Sequence, residues 1–271
     1  MKFSKLHGAG NDFILIDNRQ NLWSEEQLQA MAKKLCARKT SIGADGFMAV
    51  GKSAMPNHIK MLFINSDGSI GEMCGNGARC LARFAYDFSM VSSPMVIETT
   101  AGEVPAKRLD NQRYGIELNL PEVVKKYVPV DCDYDVHYVE LGNPGIPHAI
   151  VILPNEKPID EEELFQLGKT LRYHNEFPKG ANVTFVTSID GKLYANTWER
   201  GVEGFTLACG TGAGSTATAL VELGLREANT PIVLNFPGGE LEVTVYKQGS
   251  IIKKLLLVGP TFWVANGETV D

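Results

Sequence analysis

Apolar residues in this chain gather in short runs broken by Gly-, Asn- and Pro-bearing turns, a pattern of many strands and few helices. Residues 3–6 and 13–16 read as strands around the glycine-rich turn His7-Gly8-Ala9-Gly10-Asn11. Ser24-Glu25-Glu26-Gln27 is a capping-box start. Leu28, Met31, Ala32 and Leu35 follow at helical spacing, which predicts a helix to about residue 38. Strands are expected at 47–50, 58–65, 95–100, 103–108 and 113–118. A second series opens near Asn119-Leu120-Pro121, with strands at 136–141 and 148–153. Asp160 caps a helix to about residue 173, and 182–187 pairs with 193–198 across Asp190-Gly191, a hairpin signal. Strands at 232–236, 241–246 and 251–258 follow, and 262–265 returns to the first sheet.

Two further helices are announced by a repeated motif. Met73-Cys74-Gly75-Asn76-Gly77-Ala78 recurs as Ala208-Cys209-Gly210-Thr211-Gly212-Ala213, with the cysteines 135 positions apart in a chain of 271. Ala78, Leu81, Phe84, Ala85 and Phe88 continue the first copy at helical spacing, and Ala213, Ala217, Leu220 and Val221 the second. Self-similarity at half the chain length points to an internal duplication. The expected fold is therefore α+β, two pseudosymmetric domains with largely antiparallel sheets. The boundaries expected are 1–118, completed by 262–271, and 119–261.

Composition narrows the chemistry. A hydrophobic fraction of 44% and a charged fraction of 21% are those of an ordinary globular protein, and a net charge of −6 argues against a nucleic-acid partner. Asp12 and Asp17 interrupt any signal-like apolar start, and no apolar run reaches membrane-span length, so a cytoplasmic protein without a membrane partner is expected. The 5 cysteines contain no Cys-x-x-Cys pair and the 5 histidines no ligand-spaced cluster, so free thiols and no metal are expected.

A cysteine placed just before a helix sits among unpaired N–H groups at the positive end of the helix dipole. That position favours the thiolate, and the same N–H groups bind a carboxylate. Flanking glycines let a small substrate approach. If the two halves pack face to face, the two motifs converge on one cleft. A thiolate and a thiol on opposite sides of a carbon stereocentre could then remove a proton from one face and deliver another to the other, exchanging roles with reaction direction. Two helix ends would stabilise the charge that develops as the C–H bond breaks. No nucleotide- or pyridoxal-binding motif is apparent, so no cofactor is expected. Cys36, Cys80 and Cys132, with His7, His58, His137 and His174, read as structural. The competing classes are a thiol–disulfide protein using Cys74 and Cys209 as a redox pair and a non-catalytic amino-acid-binding module.

With these motifs in view the chain resembles the diaminopimelate epimerases, pyridoxal-independent enzymes that interconvert LL- and meso-diaminopimelate. The resemblance runs from Lys5-Leu6-His7-Gly8-Ala9-Gly10-Asn11-Asp12-Phe13 to Gly259-Pro260. Its most specific parts are Met73 to Cys80 and Glu199-Arg200-Gly201 leading into Ala208-Cys209-Gly210-Thr211-Gly212. It implies two domains, each an antiparallel sheet curled around a central helix, and usually a homodimer. It makes Cys74 and Cys209 the acid–base pair and places the reacting α-carboxylate near Gly75, Asn76, Gly210 and Thr211, with Asn11 close by. It assigns Asn65, Asn182, Glu199 and Arg200 to the far end of the substrate, Arg200 suiting a carboxylate and Glu199 an ammonium. The resemblance also implies Asn143 as a further substrate ligand and His148 as a supporting residue. The family's Gly-Asn-Pro-His stands here as Gly142-Asn143-Pro144-Gly145-Ile146-Pro147-His148, so either Asn143 keeps the ligand role or Gly145 to His148 takes the family position. Val264-Ala265 stands where the family often has an aromatic dimer residue. A related racemase or epimerase of histidine, proline or lanthionine is the nearest alternative, although a proline substrate would leave Glu199, Arg200, Asn65 and Asn182 without a distal group.

Overall fold

The computed structural model describes residues 1–270. The chain divides into two units, residues 1–116 with 259 onward, and Glu117–Val258. In the first unit come β1 (Lys2–Gly8), β2 (Asn11–Asp17), α1 (Glu25–Leu35), β3 (Gly46–Lys52), β4 (His58–Asn65), β5 (Ile70–Gly71), α2 (Gly75–Asp87), β6 (Met95–Thr99), β7 (Gly102–Arg108) and β8 (Arg113–Leu118). The second holds β9 (Pro121–Lys125), β10 (Asp135–Leu141), β11 (Ile146–Ile152), α3 (Glu161–Arg172), β12 (Asn182–Ile189), β13 (Lys192–Glu199), β14 (Gly204–Thr206), α4 (Gly210–Glu222), β15 (Pro231–Phe236), β16 (Gly239–Gln248) and β17 (Ile251–Pro260). The final strand, β18 (Phe262–Glu268), pairs antiparallel with β1, as the apolar run at 262–265 suggests.

The two units share one strand order. In the first, β18, β1 and β2 are antiparallel, β3 joins β2 in parallel, and β4 joins β3 antiparallel; β6 then pairs parallel with β4, and β7 and β8 continue antiparallel. In the second, β9, β10 and β11 are antiparallel, β12 joins β11 in parallel, and β13 joins β12 antiparallel; β15 then pairs parallel with β13, and β16 and β17 continue antiparallel. Each parallel step spans a helix, because a parallel pair needs a crossover connection. The fold is α+β, in two domains.

Strand alternation decides which residues meet which helix. In β2 the run Phe13 to Ile16 is buried on both faces. Ile14 and Ile16, with Phe47, Ala49 and Ile64, pack on Leu28, Ala32 and Leu35 of α1. The alternate residues point the other way, toward α2, which packs on β1, β2, β3, β4, β6 and β7. The second unit repeats this. Ala149, Val151, Val183, Phe185 and Trp198 pack with Leu164 and Leu171 of α3, so their neighbours face α4. Both central helices are buried along most of their length. Among the described residues no helix is long and apolar enough to cross a membrane.

One helix ends short of expectation, and three short strands have no apolar run to announce them. α1 stops at Leu35, with Cys36 as its cap, short of residue 38, and the chain turns through Lys39 at φ 72°. α2 starts at Gly75, directly after Cys74, as the cysteine motif announces. β5 and β14 hold only 2 and 3 residues, and β9 opens on a proline.

Candidate active site

The face rule of each sheet puts the candidate side chains on the same side as its central helix. In the first unit Phe13 pairs with Gly46 and Gly46 with Asn65, so Asn11 and Asn65 both lie on the α2 face. Asn11 is delivered by the β1–β2 hairpin, whose two turn residues, Ala9 and Gly10, have φ of 51° and 84° as a type I′ turn requires. Gly8, just before that turn, fits because it has no Cβ; one would sit 3.2 Å from the Asn76 carbonyl oxygen and 3.5 Å from an Arg79 nitrogen.

Cys74 is the N-cap of α2 in extended conformation. Its thiol donates to Asn11 Oδ1 at 3.5 Å, and Asn76 Nδ2 donates to the same oxygen at 3.4 Å. The Asn11 amide is turned this way because its Nδ2 donates to Asp45 Oδ2 at 2.8 Å. Asp45 and Asp12 both accept from Arg38, and Lys5 pairs with Asp12, holding its carboxyl below the usual range against the opposing effect of burial. Beneath the first turn, Arg79 donates to Asn76 Oδ1 at 2.6 Å and to the Gly75 carbonyl at 3.4 Å. Asn65, at the end of β4, donates to Ser69 Oγ at 3.0 Å within the β4–β5 turn.

Cys209 is the N-cap of α4, buried, and its sulfur accepts from the Gly212 N–H at 3.3 Å and lies 3.5 Å from Thr211 Oγ1. Burial pushes this thiol well above its ordinary range and the Glu199 carboxylate pushes it further, while the Thr211 and Gly212 hydrogen bonds pull it back. Glu199 also accepts from Thr206 Oγ1 at 2.5 Å. His148 Nε2 shares a hydrogen bond with Thr211 Oγ1 at 3.0 Å. Burial, assisted by the Arg200 charge, lowers the His148 pKa to about 3, so the ring stays neutral in the folded protein. Asn182, paired across the sheet with His148, donates to the Pro147 carbonyl at 3.1 Å and accepts from the Arg200 N–H at 2.8 Å. Gly212 leaves room for the Thr184 and Thr197 hydroxyls, which bond each other at 2.9 Å; a Cβ there would lie 2.9 Å from Thr197 Oγ1 and 3.0 Å from Thr184 Oγ1.

Each unit thus presents a thiol at the N-terminus of a buried helix, with an amide or hydroxyl network around it. A model of the family described as diaminopimelate epimerase matches residues 3–125 and 141–260. A diaminopimelate epimerase of Hydrogenobaculum sp. is 38% identical, covering 98% of both chains, and one of Aquifex aeolicus is 37% identical, covering 99% of this chain and 97% of its own. The chain belongs to the diaminopimelate epimerase family.

Solved structures extend the fold beyond the family. A Bacillus anthracis phenazine biosynthesis protein of the PhzF family superposes with a TM-score of 0.77 at 17% identity, covering 100% of this chain and 99% of that one. An Agrobacterium vitis hydroxyproline epimerase, with bound trans-4-hydroxy-L-proline, gives 0.68 at 16% identity, covering 98% and 90%. These likenesses concern the fold.

The loop that departs from the diaminopimelate epimerase pattern is a β10–β11 turn. Leu141 pairs with Ile146, Glu140 with Pro147 and Val139 with His148, leaving Gly142 to Gly145 as the turn. Asn143 is exposed at its tip, whereas His148 is buried against Thr211. Sequence reasoning missed Asp45, Arg79, Thr184 and Thr197. Arg79 alone left a local cue, a charged residue inside the otherwise apolar face of Ala78, Leu81 and Ala82. Among the described residues no group of His, Cys, Asp and Glu is arranged to hold a metal.

Proposed function

We propose that this chain epimerises LL-2,6-diaminopimelate to the meso isomer, with Cys74 and Cys209 as the two bases. Membership of a family whose relatives bear that activity's name supports the reaction. The observation that carries the mechanism is that both cysteines are N-caps of buried helices whose first residues are Gly75-Asn76 and Gly210-Thr211. One sulfur removes the Cα proton as a thiolate while the other delivers its proton to the opposite face, and no redox change occurs. The reacting carboxylate binds the helix-end N–H groups of Gly75, Asn76, Gly210 and Thr211, assisted by Asn11, and their positive potential stabilises the carbanionic charge.

Glu199 acts on the Cys209 thiol, so the ammonium it pairs with is best placed at the reacting carbon. Asn65, Asn182 and Arg200 take the distal amino-acid group. Gly145 to His148 fills the family loop position, since His148 is the residue of this segment that reaches the α4 turn. A homodimer acting in the cytoplasm on a free amino acid completes the proposal.

The test incubates reduced protein with LL-diaminopimelate in D2O. Deuterium at one α-carbon together with inversion is expected. Exchange with histidine, proline or lanthionine in place of diaminopimelate would overturn the substrate, and a reversible disulfide without exchange would favour a redox protein. Cys74→Ala and Cys209→Ala should each lower epimerisation at least 10³-fold, an order-of-magnitude expectation for loss of a proton-transfer group, while circular dichroism stays native.

A further inference from the structure

Arg79 is wholly buried, yet no carboxylate of the described residues pairs with it. Among the described residues its guanidinium donates only to Asn76 Oδ1 and the Gly75 carbonyl, and its Nε has no partner. A cation taken out of water without a counter-ion is costly and is ordinarily neutralised or paired. Burial does lower its pKa, but only to about 10, so it stays charged; the nearby Cys80 and Cys74 sulfurs oppose the lowering. Cys80 is itself fully enclosed, and burial raises its thiol to about 12, so it stays protonated. Cys74 is half-buried and sits at the helix end, one residue from the carbonyl that Arg79 holds.

The second unit lacks this cation. The position matching Arg79 in the repeat is Gly214, where a Cβ would lie 2.5 Å from Leu118 Cδ1, and Cys209 has the Glu199 carboxylate as neighbour instead.

We infer that Arg79 is the internal counter-charge that makes Cys74 the thiolate of the resting enzyme, with Cys209 as the thiol. This rests on the two-base reading of the site. Other groups face these sulfurs. Asn11 Oδ1 accepts the Cys74 S–H and so favours the thiol, but that is one weak hydrogen bond to a neutral amide. A desolvated unit charge together with the α2 N-terminus outweighs it. At Cys209 the Gly212 N–H and Thr211 hydroxyl favour thiolate, against burial and a formal negative charge. The free enzyme is thereby set for the direction in which Cys74 removes the Cα proton. After that turnover Cys74 carries the proton and Cys209 the charge, and exchange with solvent restores the resting form. Arg79 acts through Cys74, as a positioning residue.

The experiment follows iodoacetamide alkylation of the substrate-free protein against pH, resolved by peptide mass spectrometry. The midpoint of each profile is compared, so differing access of the two sulfurs does not enter. In the unmodified chain the Cys74 midpoint should lie at least about one pH unit below that of Cys209, a roughly tenfold difference in thiolate content. Arg79→Met should raise the Cys74 midpoint by about one unit, leave that of Cys209 in place, and move the acid limb of the kcat/KM profile upward with it. Arg79→Lys should recover part of the shift. A lower midpoint for Cys209 in the unmodified chain overturns the inference, even if Arg79→Met fails to fold. An unchanged Cys74 midpoint in a folded Arg79→Met also overturns it. Neither result depends on substrate; failure of deuterium exchange would strike the two-base reading instead.

Discussion

Glu199 and Gly212 act on one sulfur in opposite senses. A nearby carboxylate disfavours the Cys209 thiolate, and a backbone N–H favours it. Removing the carboxylate charge should therefore lower the Cys209 pKa. Glu199→Gln is expected to bring its alkylation midpoint down by roughly one unit, and to cut kcat at least tenfold through the lost ammonium contact. A midpoint that stays or rises would contradict the assigned polarity. His148 gives a stability prediction whose sign follows from linkage. Its pKa is depressed from 6.5 to about 3 by burial, so between those values the unfolded chain binds a proton that the native chain refuses. Its contribution is full above pH 6.5 and is lost as pH falls toward 3. His148→Gln should thus flatten the fall of Tm between pH 6.5 and about 4; an equally steep fall would place the acid sensitivity elsewhere. These residues were unequally legible. The cysteines show themselves by duplication, and Asn11, Asn182, Glu199 and Arg200 by resemblance. That Glu199 reaches the Cys209 sulfur depends on its place on the α4 face of β13 and on the β13–β14 hairpin that supplies Thr206, pairings with no motif of their own.

At the scale of elements, local signals were read well where the chain itself carries the energetics. Ser24 accepts from the Gln27 N–H while Gln27 Oε1 accepts from the Ser24 N–H, closing the box its sequence announces. Ser24→Ala should cost about 1 kcal/mol, a drop in Tm of roughly 2 °C for a domain of this size, with epimerisation unchanged. A calorimetric scan checks it, and a change above roughly 3 kcal/mol would mean that the cap does more than close α1. The Asp190-Gly191 hairpin was equally legible, with φ of 49° and 75° at its two turn residues. The end of α1 was less so, because it depends on neighbours. α1 gives way early to a loop whose Gly43 and Ala44 N–H groups bond back to Leu35 and Cys36. The inserted β10–β11 turn was ambiguous in one dimension, since Asn143 and Gly145 to His148 both fit a family template. Hydrogen-bond register resolves the local geometry: Glu140 pairs with Pro147, and the Glu140 side chain, held by Tyr138 and Lys179, occupies the space a Gly145 Cβ would need.

For the whole molecule, the shared strand order of the two units says that one plan was used twice, and the side chains say that the copies have diverged in charge. Arg79 lies beneath the first turn of α2, where the matching position of α4 is Gly214, and Glu199 acts on the Cys209 thiol. On the inference above a single chain carries one base of each polarity, and the two-base proposal takes both from the same chain even if the enzyme assembles as a dimer. Mixing Cys74→Ala with Cys209→Ala protein under conditions that let subunits exchange should therefore leave epimerisation absent. Each intact thiol would remain in a chain whose opposite base is missing. Activity restored toward a quarter or more of the unmodified level, measured by deuterium incorporation into diaminopimelate, would mean that thiols of different chains serve one substrate. Size-exclusion chromatography of a mixture carrying distinguishable tags would establish that exchange has taken place, so that silence in the assay reports the chemistry of the paired thiols and not the persistence of the original assemblies.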